Sequence, residues 1–317
     1  MQLLRYLGDE GAALGVLRGQ QVYSVWRALQ RHVERDGRLD AWSGVLEAAA
    51  WEPKAFLALS ATLGPLLEEA IDADDGASVV ADGGLDALRL LPFVPNPEKI
   101  IGLGYNLKAL CHKEGVEEPR YPQLFAKLPS SLTAPRGDVV APPSIDKVDF
   151  EAELCVVIGR TTRRVSRAEA LSYVGGYTVM NDLSAKILPR PKLEAQTTTL
   201  ALKGVDGFAP VGAVVVTPDE VGDPAELEIV CRVNGEERQR YPAADFVHDV
   251  AATIEYISSI ITLQPGDLLS MGTSVGIGIV EVPPRLLNDG DVVECEVVGW
   301  PGCRNVVRIP AQRGGAR

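Results

Sequence analysis

Residues 148–160 read VDFEAELCVVIGR, and the two-residue period of a β-strand sends Ala152, Leu154, Val156 and Ile158 to one face and Glu151, Glu153 and Cys155 to the other. Two carboxylates therefore leave the same face of an otherwise apolar strand. The plainer environment for a lone Glu-x-Glu is a solvated strand face. The alternative is a partly buried site. There, mutual repulsion and the cost of burying each charge require a cation, and a hard divalent metal with oxygen ligands supplies one.

The surrounding segments raise the second alternative. Residues 176–186, GYTVMNDLSAK, interrupt an apolar strand with Asn181-Asp182, a third carboxylate that in isolation reads as a turn residue. Residues 201–212, ALKGVDGFAPVG, carry Lys203 and Asp206; alone, Lys203 reads as a surface lysine. Residues 268–278, LLSMGTSVGIG, end a strand at Gly272 and Thr273, in a loop where glycine lets the backbone approach a ligand.

Around these segments the chain is a succession of short β-like runs broken by proline and glycine. In residues 227–233, LEIVCRV, the side chains Leu227, Ile229, Cys231 and Val233 share a face, and Asn234-Gly235 supplies the positive-φ pair of a tight hairpin. Ser166 and Glu169 form a capping box, and Thr217-Pro218-Asp219-Glu220 repeats the device with proline at the first helical position. Phe246, Val250, Ile254, Ile257 and Ile261 recur at helical spacing and put His248 at the edge of that helix. Residues 1–95 mix short apolar stretches with helix-like spans at 22–29 and 42–71, and three prolines in LPFVPNPEK, residues 91–99, mark a boundary. The expected fold class is mainly β / α+β: a small N-terminal α+β domain over residues 1–95, then a mainly β region with few helices over residues 96–312.

The 317 residues include 31 basic and 43 acidic side chains, a formal charge of -12 that opposes nucleic acid and anionic membranes as partners. Five scattered cysteines, with no Cys-x-x-Cys pair, suit a reducing cytosol rather than a disulfide framework. The start MQLLRYLGDE has an acidic pair where a signal peptide would be apolar, and no apolar run is long enough to span a bilayer, so a soluble cytoplasmic protein is predicted.

In this order the four segments resemble the fumarylacetoacetate hydrolase family, over roughly the last two thirds of the chain. Further matching pieces are KIIGLGYN (99–106), LFAKLPSSL (124–132), VNGEERQ (233–239) and PGDLLSMGT (265–273). The resemblance implies a β-sandwich roll catalytic domain and one divalent cation per subunit, Mg²⁺ or Mn²⁺ with Ca²⁺ as a substitute in crystals, bound by Glu151, Glu153 and Asp182. It also implies a homodimer and a small oxo-acid or diketone substrate. Lys203 is matched to a catalytic lysine, and Tyr105, Lys127, Lys186, Gly272 and Thr273 to substrate contacts.

The chain also departs from the family pattern. Many members carry Asn-Tyr-x-x-His-x-x-Glu, whose His-Glu pair activates water; against it, GLGYNLKALCHKEG (102–115) puts Gly104 at the asparagine, Lys108 at the histidine and Cys111 at the glutamate. Lys108 and His112, one helical turn apart, are the candidate bases, with Glu114 beside them. Lys186 and Pro189 stand where arginine and glutamine are usual, and lysine lacks the forked grip on a carboxylate, which points to a substrate without the family's terminal carboxylate. The first expectation is hydrolysis of a carbon-carbon bond in a 1,3-diketone or acylpyruvate-like acid. The second is oxo-acid decarboxylation or tautomerisation, or sugar-acid dehydration, at the same metal-enolate site; loss of the His-Glu pair favours it. A non-catalytic ligand-binding relative is the third.

Overall fold

A computed structural model describes residues 1–35, 37, 39–186 and 199–310. Strand Ala152–Ile158 is buried on both faces along its whole length, and its alternation sorts its side chains into two different cores. Ala152, Leu154, Val156 and Ile158 pack with Ile229, Val293 and Val307. Cys155 and Val157 pack with Leu29, Phe56, Leu63 and Leu67 from the N-terminal helices.

Two sheets account for this. In the larger one Ala152–Ile158 lies between the antiparallel strand Val174–Asn181 and the strand Leu268–Ser270, and Leu268–Ser270 pairs in parallel with Ile100–Gly104. The sheet continues on the other side through Val215–Val216 into the N-terminal meander Gln2–Gly8, Gly11–Arg18 and Gln21–Ser24, so hydrogen bonds run from the leading segment into the rest of the chain. A five-stranded sheet orders Glu236–Pro242, Glu228–Val233, Val292–Val297, Cys303–Arg308 and Arg136–Val140, the last pair parallel. The first core fills the space between the sheets; helices Val25–Arg35, Leu39–Trp51 and Pro53–Asp72 cover the far face. The fold class is the expected one, mainly β with helices added.

Several local expectations hold. Asn234 and Gly235 take φ of 53° and 80° at the turn between Glu228–Val233 and Glu236–Pro242. Helix Val250–Ile260 buries Val250, Ile254 and Ile257. Others need correction. The first helix starts at Val25, because Gln21–Ser24 is taken up by strand pairing. The span 42–71 is two helices: Pro53 has no amide proton to continue the first, and Glu52 caps the second by accepting from the Lys54 amide at 3.3 Å. Ser166 and Glu169 do meet, at 2.6 Å between side chains, but they open only the single turn Arg167–Ala170. Thr217 does not cap; its hydroxyl accepts from the Met1 ammonium at 2.6 Å, pinning the N-terminus to the sheet. His248 precedes its helix, whose N-cap is Asp249, and its ring nitrogen faces the Pro119 carbonyl at 2.9 Å.

Because Leu154 is fully buried between the sheets, Leu154→Ala is expected to lower unfolding free energy by about 2–5 kcal/mol without changing the urea m-value. Urea denaturation followed by circular dichroism measures it, and a loss under about 1 kcal/mol would count against this face as the core.

Candidate metal centre

Glu151 lies one residue ahead of the strand, and the antiparallel register sets Ala152 opposite Asn181. The Asp182 amide donates to the Glu151 carbonyl at 2.8 Å and the Glu151 amide donates to the Asn181 side chain at 3.2 Å, so the ladder itself brings Asp182 beside Glu151. One oxygen from each of Glu151, Glu153 and Asp182 lies within 4.8 Å of the others. Their exposures of 7%, 1% and 0% rule out the solvated strand face.

Three lysines from three other places in the chain surround these acids. Lys127 donates to Asp182 at 2.6 Å and to the Leu183 carbonyl at 3.2 Å. Lys186 donates to Glu151 at 3.0 Å and stands 3.7 Å from the buried Asp149. Lys203 donates to Glu151 at 2.7 Å and to Asp182, over the Phe125 ring. With its side chain only 12% exposed, Lys203 is not a surface lysine.

The charges respond accordingly. Burial opposes the ionised form of Glu151, but Lys203 and Lys186 outweigh it and hold this carboxyl at about 2. Burial, with Asp182 nearby, pushes Glu153 up to about 8, even though it accepts from the Ser270 hydroxyl at 2.6 Å and the Gly272 amide at 2.9 Å. Burial also lowers Lys127 despite Asp182, whereas for Lys203 the three acids overcome burial and raise it. The donor set is all carboxylate oxygen, and the Lys203 ammonium bonded to both Glu151 and Asp182 shows that a cation is accepted between them. Both features fit a hard divalent ion.

A cavity of about 280 Å³ opens on this cluster. Of the expected site residues, Tyr105, Glu114, Glu151, Glu153, Lys186, Lys203 and Thr273 line it. Asp182, Lys127 and Gly272 stand behind, bonded to Lys203, Asp182 and Glu153 in turn. Lys108 and His112 are not among the lining residues. Both are exposed on helix Lys108–Glu114, and Lys108 reaches toward the Ala244 carbonyl at 3.4 Å. At 100° per residue they share one helix face, as their spacing predicts, but that face is about 200° from Leu110 and Glu114, the two helix residues that reach the cavity. Pro189 lies outside the described residues.

The helix also corrects the motif register. Asn106 is buried, donating to the Met271 and His248 carbonyls at 2.9 and 3.1 Å and accepting from the His248 amide at 2.9 Å. Counting Asn-Tyr-x-x-His-x-x-Glu from this anchored asparagine puts Leu107, Leu110 and Lys113 at the last three named positions. A leucine thus faces the cavity where the pattern has histidine. The sequence pattern assigns no role to Asn106, nor to Gln239 and Tyr241 of the other sheet; its signals for them are Asn106 in KIIGLGYN and Gln239 closing VNGEERQ.

Residues 99–308 match the model of the fumarylacetoacetate (FAA) hydrolase C-terminal domain. The chain belongs to the fumarylacetoacetate hydrolase family. Among curated members it is similar to a mitochondrial oxaloacetate tautomerase of Bos taurus, 34% identical over 262 residues that cover 80% of this chain and 81% of the relative. Among solved structures it is similar to the fumarylacetoacetate hydrolase of psychrophilic Exiguobacterium antarcticum, with a TM-score of 0.77 and 27% identity, covering 98% and 100% of the two chains. The maleylpyruvate hydrolase of Sphingobium sp. SYK-6, crystallised with manganese(II) and pyruvate, has a TM-score of 0.72, 27% identity and the same coverage. Members of this family are enzymes, and the acidic trio of this chain is a set of carboxylates that could hold a metal ion. Among the described residues no helix is long and apolar enough to cross a membrane.

A pH dependence follows from Glu153. Its carboxyl, raised from 4.5 to about 8, keeps in the folded chain a proton that the unfolded chain releases. Metal-free stability is therefore expected to fall as pH rises through that window, while Mn²⁺ affinity rises, because the ion must displace the proton. Isothermal titration in buffers of different ionisation enthalpy should record about one proton released per Mn²⁺ near pH 7. Affinity that does not change between pH 5 and 8 would contradict this assignment.

Proposed function

We propose that the chain is a divalent-metal-dependent tautomerase of a small 2-oxo acid of the oxaloacetate kind. The observation that carries this is the cavity wall: Glu151 and Glu153 stand there with Lys186 and Lys203, Asp182 lies behind them, and among the described residues the neighbouring helix contributes Leu110 and Glu114 but no histidine to activate water. The sequence similarity to oxaloacetate tautomerases supports it as well. Glu151, Glu153 and Asp182 would hold the ion, Mg²⁺ or Mn²⁺, whose Lewis acidity acidifies the carbon beside the carbonyl. Lys186 and Lys203 orient a substrate carboxylate as point charges, so in this reading the lysine at position 186 loosens the grip on that group and does not exclude it. Glu114 takes the proton from that carbon as the enol forms and returns it as the keto acid forms, while the carbonyl oxygen gains or loses its proton to solvent at the cavity mouth. Leu103, Leu110 and Phe125 keep water from it.

Hydrolysis of a carbon-carbon bond in an acylpyruvate-like acid is the second reading, favoured by the similarity to a maleylpyruvate hydrolase; Glu114 would then have to activate the water. The same proposal treats residues 96–312 as the catalytic unit, of which 311 and 312 lie outside the described residues, and residues 1–95 as its cover. The active form is a homodimer, for which light scattering is the measurement. The unpaired state of all five cysteines suits a reducing compartment such as the cytoplasm.

Enol-to-keto conversion of oxaloacetate, followed by ultraviolet absorbance with Mn²⁺ present, tests the reading. Glu114→Gln is expected to lower turnover by about a hundredfold, whereas His112→Ala and Lys108→Ala leave it within about twofold. Mass analysis separates the two reactions, since tautomerisation leaves the substrate mass unchanged and hydrolysis adds water and splits it. Cleavage of acylpyruvates without oxaloacetate tautomerisation would replace the first reading with the second.

A further inference from the structure

Strand Ala152–Ile158 loses its neighbour at the place where its two glutamates emerge. Met271 still donates its amide to the Leu154 carbonyl at 2.9 Å. At Gly272 the chain then turns away with φ of 89°, a conformation reserved for glycine here because a Cβ would come within 2.9 Å of the Leu103 carbonyl. The parting of the two strands lets the carboxylates of Glu151 and Glu153 face a cavity instead of a packed ladder. It also strands the peptide groups of Ala152, the residue between the glutamates. Ala152 has the same parity as Leu154, so its amide and carbonyl point toward the strand that has left.

Side chains of the second sheet fill that place. Gln239 accepts from the Ala152 amide at 3.0 Å through its side-chain oxygen. Its side-chain nitrogen donates to the Thr273 hydroxyl at 2.8 Å and lies 3.1 Å from the Ser274 carbonyl. Tyr241, two residues along the same strand face, donates to the Ala152 carbonyl at 2.6 Å, and the Thr273 hydroxyl donates to that carbonyl at 3.1 Å. Gln239 is 2% exposed and does not line the cavity.

We propose that Gln239 is a positioning residue. Its primary amide replaces one peptide unit of the missing strand and fixes the spacing between the Glu151–Glu153 segment and the Gly272–Thr273 loop, so that three carboxylates converge on one ion. An amide suits the task because it offers an acceptor and a donor on one planar group, matching the unpaired groups on the two sides of the gap. Buried peptide groups left unpaired there would draw in water or move the strand, and the ligand spacing would move with it. The inference rests on the metal-centre reading and adds to it a residue from the opposite sheet.

The test is Mn²⁺ binding to the metal-free full-length chain, measured by titration calorimetry and electron paramagnetic resonance, with hydrogen exchange of the Ala152 amide alongside. Gln239→Leu keeps the volume and removes all the side-chain hydrogen bonds of Gln239. It is expected to bind Mn²⁺ about tenfold or more weakly, within the range known for groups that orient metal ligands, and to exchange the Ala152 amide faster. A folded Gln239→Leu chain with wild-type Mn²⁺ affinity overturns the inference, whatever its melting temperature, since a residue of purely structural importance would move only the latter. Should that variant not fold, Gln239→Glu serves. Its protonated carboxyl mimics the amide and its ionised form has no donor for Thr273, so its Mn²⁺ affinity relative to wild type should fall as pH rises from 5 to 8. A constant ratio over that range overturns the inference too. A wild-type chain that binds no Mn²⁺ removes the metal centre and this inference together.

Discussion

Three carboxylates that would repel one another share a buried pocket, and the organisation of this chain follows from the need to compensate them. Each of the three lysines that do so comes from a separate segment: Lys127 ends strand Gln123–Lys127, Lys186 follows the Asn181-Asp182 pair, and Lys203 ends the short helix Thr199–Lys203. None could reach the acids unless the large sheet first set its strands in register. Charge compensation and sheet topology are thus one constraint, and a buried acid left without its partner would cost several kcal/mol.

The compensation is deliberately uneven in its effect. Glu151 is bonded by two lysines and the Ser184 hydroxyl and stays ionised, whereas Glu153, two residues on, faces neutral donors and holds a proton until about pH 8. A cluster in which Glu151 stays ionised and Glu153 is ready to ionise can change its charge by one when a cation enters. The N-terminal helices matter here as well. They seal the same strand face at Cys155 and Val157, next to the glutamates.

Much of this was legible in the amino-acid sequence. Alternation in residues 148–160 and the Asn234-Gly235 turn are local, and local patterns survive folding. The Glu-x-Glu pair and Asp182 could be joined because they lie at the same end of neighbouring antiparallel strands, so that the thirty residues between Glu151 and Asp182 run out along one strand and back along the next. What stayed hidden was set by non-local geometry. Pro53 divides a helix that composition would run together, Thr217 abandons its cap for the N-terminus, and Gln239 reaches the site from another sheet. The helix Lys108–Glu114 misled in a different way: its residues were weighed by chemical type, and the buried anchor that decides their facing, Asn106, bonds to carbonyls more than 140 residues away in sequence.

That facing also narrows which group moves a proton. Glu151, held by two lysines at about 2, is too weak a base near neutral pH. Glu153 has its second oxygen committed to Ser270 and Gly272. Lys203 carries its proton between Glu151 and Asp182 and is raised, not lowered, so it donates hydrogen bonds rather than accepting them. The described cavity wall then leaves Glu114, beside Leu110, as the carboxylate not engaged with the cluster. Under the proposed function, a described wall without a histidine favours tautomerisation over hydrolysis and leaves the acidic trio in place.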